Sequence, residues 1–222
     1  MAKINNDRNG CKDVFRAFLV KNASFDSEFE IPRIERNDGL PVRLISFSKA
    51  VKGTDFSAWV HFYEDDVAFE RLWNNPQRYL PILQRYEGVI TPDFSLYRDM
   101  PLAMQIWNIY RSRAIGHWLQ NNGIPVIVNV RWADYRTHRL CCAGVPKHSV
   151  IAVGSHGCIK IHREQEYFVK GLEYAVTELK PETILVYGSA PDSIFGKYKD
   201  IGITVLQFDS DFMTTHRKVV VA

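Results

Sequence analysis

Residues 88–132, GVITPDFSLYRDMPLAMQIWNIYRSRAIGHWLQNNGIPVIVNVRW, decide the fold. Val89-Ile90-Thr91 is a short apolar, β-branched run that breaks into Pro92-Asp93-Phe94-Ser95, so it reads as a strand ending in a polar loop. Asp99-Met100-Pro101 then gives a cap followed by proline, the signature of a helix start. Leu102, Ile106, Ile109 and Ile115 recur at helical spacing beyond it, with Trp107, Tyr110, Ala114 and Trp118 alongside. So wide an apolar arc suits a helix packed on a sheet and on neighbouring helices, and Gly123 ends it. Pro125–Val130 is continuous and β-branched, as a strand buried on both faces should be. Strand, helix and strand at this spacing make a right-handed parallel crossover. Asp93 and the run Asn129-Val130-Arg131-Trp132 therefore emerge at the same end of neighbouring strands, where parallel α/β sheets hold their ligands.

The same alternation continues on both sides. Upstream, Val42–Phe47 and Ala58–Tyr63 read as strands, the second running into Glu64-Asp65-Asp66, with Asp65 or Asp66 as cap of the helix that begins at Val67. Asn75-Pro76 restarts a helix that buries Tyr79, Leu80, Leu83 and Tyr86. Downstream, strands are expected at Val150–Val153, Thr183–Tyr187 and Ile203–Phe208, with helices over Arg163–Leu179 and Ile194–Lys199. Residues 133–148 are less regular. The tail beyond Asp211 is basic and then apolar, and Val219–Ala222 is a candidate eighth strand. Residues 1–40 form a peripheral N-terminal arm with a short helix expected over Lys12–Lys21, and residues 41–222 form a single domain. The fold class is α/β, a parallel sheet with alternating helices. Seven or eight strands fit a compact, irregular (β/α) barrel, TIM-barrel-like, with an open doubly wound sheet as the alternative.

Composition narrows the function. The chain has 222 residues, is 46% hydrophobic and 24% charged, and carries a formal charge of +3. Those values belong to a globular protein without a nucleic-acid-coating surface, so a nucleic-acid partner is possible but not favoured. No apolar stretch reaches the roughly 18 residues of a membrane helix, and the polar N-terminus reads as no signal peptide. Cys11, Cys141, Cys142 and Cys158 do not form a secreted disulfide framework, which points to a reduced, cytoplasmic setting. His138, Cys141, Cys142, His156, Cys158 and His162 share one quarter of the chain. Their spacings match no zinc motif, so no metal is assigned, and the cofactor is left unknown.

The strand ends collect the candidate site. Asp93 is a candidate general base or nucleophile, or the anchor of an Asx turn. His156, on a tight glycine turn, and Asp209 are its candidate catalytic partners, either as proton-transfer groups or as structural polar residues. Arg131 would bind an anion or pair with Asp93, and Trp132 would stack on a ring or fill the rim. Ser95 and Asn129 are candidate ligand contacts. The turns Gly154-Ser155 and Gly188-Ser189 place small residues ahead of helices, a pattern that cradles phosphate or merely turns tightly. No GxGxxG or GxxxxGK[ST] motif is present.

Several blocks also resemble a known family. WNNPQRYLPIL, GVITPDFSLYRDMPLAMQIWN, YRSRAIGHWLQNNGIPVIVNVRW, residues Ile151–Lys160 and ILVYGSAPDSIFGKY are similar to a domain of unknown function found in phages and other mobile elements. The likeness runs from Leu44 to Asp211 and takes in Asp93, Ser95, Asp99, Asn129, Arg131, Trp132, His156 and Tyr187-Gly188-Ser189. The pair Cys141-Cys142 departs from it. The resemblance implies a bacterial host cytoplasm and assigns no activity. A looser likeness, of architecture alone, is to barrel enzymes that exchange bases on nucleic acids. The expectation is an enzyme acting on a phosphorylated or nucleotide-like small molecule by hydrolysis or glycosyl transfer. The alternative is a non-catalytic phage factor that sequesters a nucleotide or blocks a host protein.

Overall fold

Seven of the chain's apolar runs lie side by side in strict sequence order. In the computed structural model, which describes residue 13, residues 15–211 and residue 213, a small antiparallel pair comes first, β1 (Phe25–Asp26) and β2 (Ile31–Pro32). The main sheet follows as β3 (Leu44–Ser46), β4 (Trp59–His61), β5 (Gly88–Ile90), β6 (Val126–Asn129), β7 (Val150–Gly154), β8 (Thr183–Tyr187) and β9 (Thr204–Phe208). Its order is β3-β4-β5-β6-β7-β8-β9 and every pairing is parallel. The helices are α1 (Phe47–Ala50), α2 (Asp66–Asn74), α3 (Pro76–Leu83), α4 (Leu102–Asn121), α5 (Tyr135–Cys142), α6 (His162–Leu179) and α7 (Asp192–Asp200).

The sheet is open but strongly curled. In a flat sheet β4 and β8, four strands apart, would lie about 19 Å from one another. Yet the rings of Tyr63, just past β4, and Tyr187 stack at 4.6 Å between centroids, and His61 meets Tyr187 at the same distance. The concave face is filled by strand side chains, among them Trp59, Ile90, Ile127, Ala152 and Leu185. The convex face, with Val60, Val89, Val128, Val153 and Val186, packs under the helices. Burial on both faces explains why the strands read as unbroken apolar runs. The two edges, β3 and β9, share no ladder; Lys49 on α1 reaches Asp211 beyond β9 at 2.7 Å instead. The result is a half-barrel: curled as the barrel reading expects, open as the alternative has it, and without the reversal of strand order that marks a doubly wound sheet.

Helix α4 is buried nearly all round from Ile109 to Leu119, polar residues included. One side carries the N-terminal segment: Leu19, Ile31 and Ile34 are buried, and His117 contacts the carbonyls of Lys21 and Arg33 at 3.3 Å. Of the helix expected over Lys12–Lys21, residues 12 and 14 lie outside the described residues, and Ala17–Val20 form a 3-10 turn. The candidate eighth strand at 219–222 also lies outside them. Asp99 is not the cap of α4, which starts at Leu102 after Pro101. Residues 133–148, expected to be irregular, contain α5, started by Asp134, whose carboxylate accepts the Arg136 N–H at 3.0 Å. Among the described residues no helix is long and apolar enough to cross a membrane.

Candidate functional site

Strand alternation builds the floor of the site. Asn129 ends β6, and Arg131, two residues on, leaves the chain on the same side. Asp93 follows β5 next door, so three polar side chains meet over the central strands. Asn129 Nδ2 donates to Asp93 Oδ1 at 2.6 Å, and Arg131 Nη1 donates to Asp93 Oδ2 at 2.6 Å. The Tyr63 hydroxyl donates to Asn129 Oδ1 at 2.9 Å, which fixes the amide's orientation. The side chains of Asp93 and Arg131 are 10% and 30% exposed, a largely desolvated ion pair. Burial pushes the Asp93 carboxyl above its ordinary range, against the downward pull of Arg131 and Asn129. Burial likewise holds the Tyr63 phenol well above its usual value, so it stays a donor. Arg131 Nε is buried and makes no hydrogen bond.

Above this floor lies a cavity of about 490 Å³, within the usual range for small-molecule sites. Its walls are mostly apolar and aromatic: Leu96, Tyr97, Val130, Trp132, Val153, Tyr167 and Phe168. Trp132 is set by two contacts. Its Nε1 donates to the Tyr167 carbonyl at 3.2 Å, and its ring lies 5.4 Å from that of Phe168. The indole also lies directly against Gly171 of α6, where a Cβ would fall on the ring nitrogen, well inside contact distance. Gly171→Ala is therefore expected to destabilise the protein by about 2 kcal/mol, the overpacking outweighing alanine's better helix propensity. It should also shift the tryptophan emission. Thermal melts and fluorescence check this, and an alanine variant as stable as the parent would refute it.

The rim is ionic. Arg98 Nη1 and Nη2 both donate to Glu164 at 2.6 Å, joining the β5–α4 loop to the first turn of α6, and the guanidinium lies 4.3 Å from the Tyr167 ring centroid. This pairing holds the Glu164 carboxyl below its usual range. Asp99 stands at the mouth and is exposed. Cys158 also lines the cavity; burial raises its pKa and keeps it a thiol.

Of the residues singled out in the sequence, the structure brings Asp93, Asn129, Arg131, Trp132 and Gly154 together around the cavity. Ser95 is turned away, its N–H and Oγ donating to Asp66 at 3.1 and 2.8 Å. The remaining five belong to a neighbouring stretch of the edge, over β7 to β9. Ser155 is fully buried and its Oγ donates to the Ser189 carbonyl at 2.7 Å. Gly188 has φ +113, and a Cβ there would meet Ser155 Oγ at 2.6 Å, so the glycine lets two turns pack on one another. Three of the backbone donors of these turns are already engaged. The Ser155 N–H donates to Tyr187 O at 3.0 Å, Gly188 to Phe208 O at 2.8 Å, and Ala190 to Gln207 Oε1 at 2.9 Å. His156 Nδ1 contacts Ser210 Oγ at 3.3 Å, Ser189 Oγ faces the Met213 sulfur, and Asp209 accepts from Gln207 Nε2 at 3.2 Å. The curl spreads the strand ends along an arc, so His156 and Asp209 do not line the cavity that Asp93 faces.

Arg98, Glu164 and Tyr167 escape the sequence reading, and Cys158 enters it only as a candidate metal ligand. They reach the cavity from a loop and from the start of a helix, and no spacing rule connects them to Asp93. No group of three or more His, Cys, Asp or Glu that could hold a metal occurs among the described residues.

Comparison with known proteins adds the lineage. Residues 23–209 match a family described as a domain of unknown function, DUF4417. The chain belongs to the DUF4417 family. This DUF4417 chain is 36% identical over 166 residues to the "Gene 1 protein" of Mycobacterium phage L5, covering 73% of the chain and 72% of that protein. It is 35% identical over 166 residues to the "Gene 1 protein" of Mycobacterium phage D29, where the match covers 73% of the chain and 61% of the phage protein. No solved structure matches the DUF4417 chain. It is a phage-type protein, as the shared blocks imply.

Proposed function

We propose that this protein binds a nucleotide-like small molecule in the cavity at the ends of β5, β6 and β7, within the cytoplasm of a bacterial host. The observation that carries this reading is the buried Asp93–Arg131 pair at the floor of a ring-walled cavity. A desolvated ion pair is weak support for stability, since the desolvation of both charges offsets much of their attraction. Its position at the strand ends makes ligand recognition the better reason for it. Trp132, Tyr97 and Tyr167 supply faces for a planar ring, and Asp93 with Arg131 supplies an acceptor beside a donor.

Turnover of that ligand is the second reading, and the raised pKa of Asp93 favours it: a carboxylate that burial makes more basic suits a general base in hydrolysis or glycosyl transfer. Against it, Cys158 is held as a thiol, and neither His156 nor Asp209 lines the cavity. Small molecules released from freshly purified protein by denaturation, identified by mass spectrometry, test the binding reading. Incubation of protein with that molecule separates the two: recovery unchanged supports a sequestering protein, conversion an enzyme. Asp93→Asn is expected to lower affinity by about tenfold or more, because Arg131 loses its counter-charge and the ligand loses an ionised acceptor. Calorimetric titration reads this. Unaltered affinity in a variant with a parental melting curve removes Asp93 from the site.

A further inference from the structure

The charge balance of the cavity narrows the ligand further. Resting on the binding reading above, we infer that the cavity receives the uncharged, ring-bearing part of its ligand, a nucleobase or nucleoside, and grips no phosphate group. Among the described residues three carboxylates line it, Asp93, Asp99 and Glu164, against two guanidiniums, Arg98 and Arg131, and no lysine joins them. Arg98 is committed to both oxygens of Glu164 at 2.6 Å, and Arg131 gives its Nη1 to Asp93 at 2.6 Å while its Nε lies buried without a hydrogen bond. A phosphate at Arg98 would have to displace Glu164, and one at Arg131 would have to lie against the Asp93 carboxylate or displace it. Displacing Asp93 strands a charge that is only 10% exposed, and the cost of a buried unpaired charge exceeds what a new ion pair returns. The surplus negative charge of the lining repels a polyanion as well.

The usual alternative source of phosphate affinity is a nest of backbone N–H groups. Here the Ser155, Gly188 and Ala190 N–H groups donate to protein acceptors, and the turn at Gly188-Ser189 stands outside the cavity. What the cavity does offer is aromatic walls at Trp132, Tyr167 and Phe168 and, at the floor, carboxylate lone pairs next to a guanidinium. Bases taken out of a stack are read in this way, by their hydrogen-bonding edge and by stacking between aromatic or apolar side chains.

Calorimetric titration of the full-length protein with the common ribonucleosides and their 5′-triphosphates, at low and high salt, tests this. At least one nucleoside is expected to bind, with its triphosphate no tighter and with affinity nearly independent of salt, because no surplus cation is there to be screened. In Glu164→Gln, which frees Arg98, the preference should move toward the triphosphate by about tenfold. A triphosphate that binds the parent protein about tenfold tighter than its nucleoside overturns the inference and leaves the nucleotide-like binding reading standing. So does a Glu164→Gln variant with unchanged preference. Binding of neither series defeats that reading, and the inference with it.

Discussion

Arg113→Met is expected to destabilise the protein by about 3 kcal/mol, lowering the melting temperature by about 6–12 °C for a domain of this size. Arg113 sits in the middle of α4, 2% exposed, with no carboxylate paired to it among the described residues. Its partners are three backbone carbonyls, Cys141 at 2.8 Å, Asn129 at 3.1 Å and Ala143 at 3.2 Å, with the Ser112 hydroxyl at 3.5 Å. Burial draws its pKa down to about 10 from 12.5, which corresponds to a penalty of roughly 3 kcal/mol already present in the native protein. Three hydrogen bonds to a charged donor contribute about 1.5–3 kcal/mol each, so together they outweigh that penalty. Methionine fills the space and relieves the desolvation, but strands the carbonyls. Two of these belong to the unsatisfied C-terminal end of α5, where a cation is favoured. Loss of the guanidinium should therefore also loosen α5 and raise the reactivity of the fully buried Cys141 toward thiol reagents. A methionine variant that melts with the parent, its thiols equally protected, refutes this account.

A second large effect is expected from pH. His61 on β4 is 2% exposed, wedged against the rings of Tyr63 and Tyr187, and its Nδ1 accepts the Tyr63 N–H at 3.2 Å. Burial lowers its pKa from 6.5 to about 4, with Asp211 pulling it up and Lys49 pushing it down. The folded value lies below the unfolded one. Between the two, the unfolded chain takes up a proton that the folded protein refuses, so stability falls as pH falls. Above pH 6.5 the contribution of this group is constant; from pH 6.5 down to 4 it withdraws up to roughly 3 kcal/mol. Urea unfolding at several pH values, for the parent and for His61→Phe, isolates the effect: the variant should lose less stability on acidification. Parallel pH profiles would falsify the assignment to His61.

The strands were legible because burial on both faces removes any need for polar alternation, and Val126–Asn129 or Thr183–Tyr187 can be read without knowing the fold. Closure was not, since it depends on how tightly the sheet coils, which Tyr63 and Tyr187 reveal only by touching. Helix α5 is eight residues, YRTHRLCC, with too few apolar positions to mark a stripe; its one local signal is the cap Asp134. Half of the site followed from strand ends: Asp93, Asn129 and Arg131 are neighbours by register. The other half, Arg98 with Glu164, comes from segments 66 residues apart and had no signal of its own. Arg113 lay within a helix read for its apolar stripe. A buried cation serving mainly backbone carbonyls leaves no pattern in sequence.

The unpaired margins of the sheet carry a consequence for how the molecule loosens. A horseshoe gives way from its tips. Among the described residues β3 and β9 each have a single ladder partner, and the Lys49–Asp211 pair between them is more than half exposed on both sides, a clasp contributing at most about 1 kcal/mol. β5, β6 and β7 are held by a neighbour on each flank. Fluctuations then peel the outermost strands first and widen the concave interior, while Asp93 and Arg131 ride on the strands that let go last. The protein can breathe around its ligand chamber without disturbing the chamber floor.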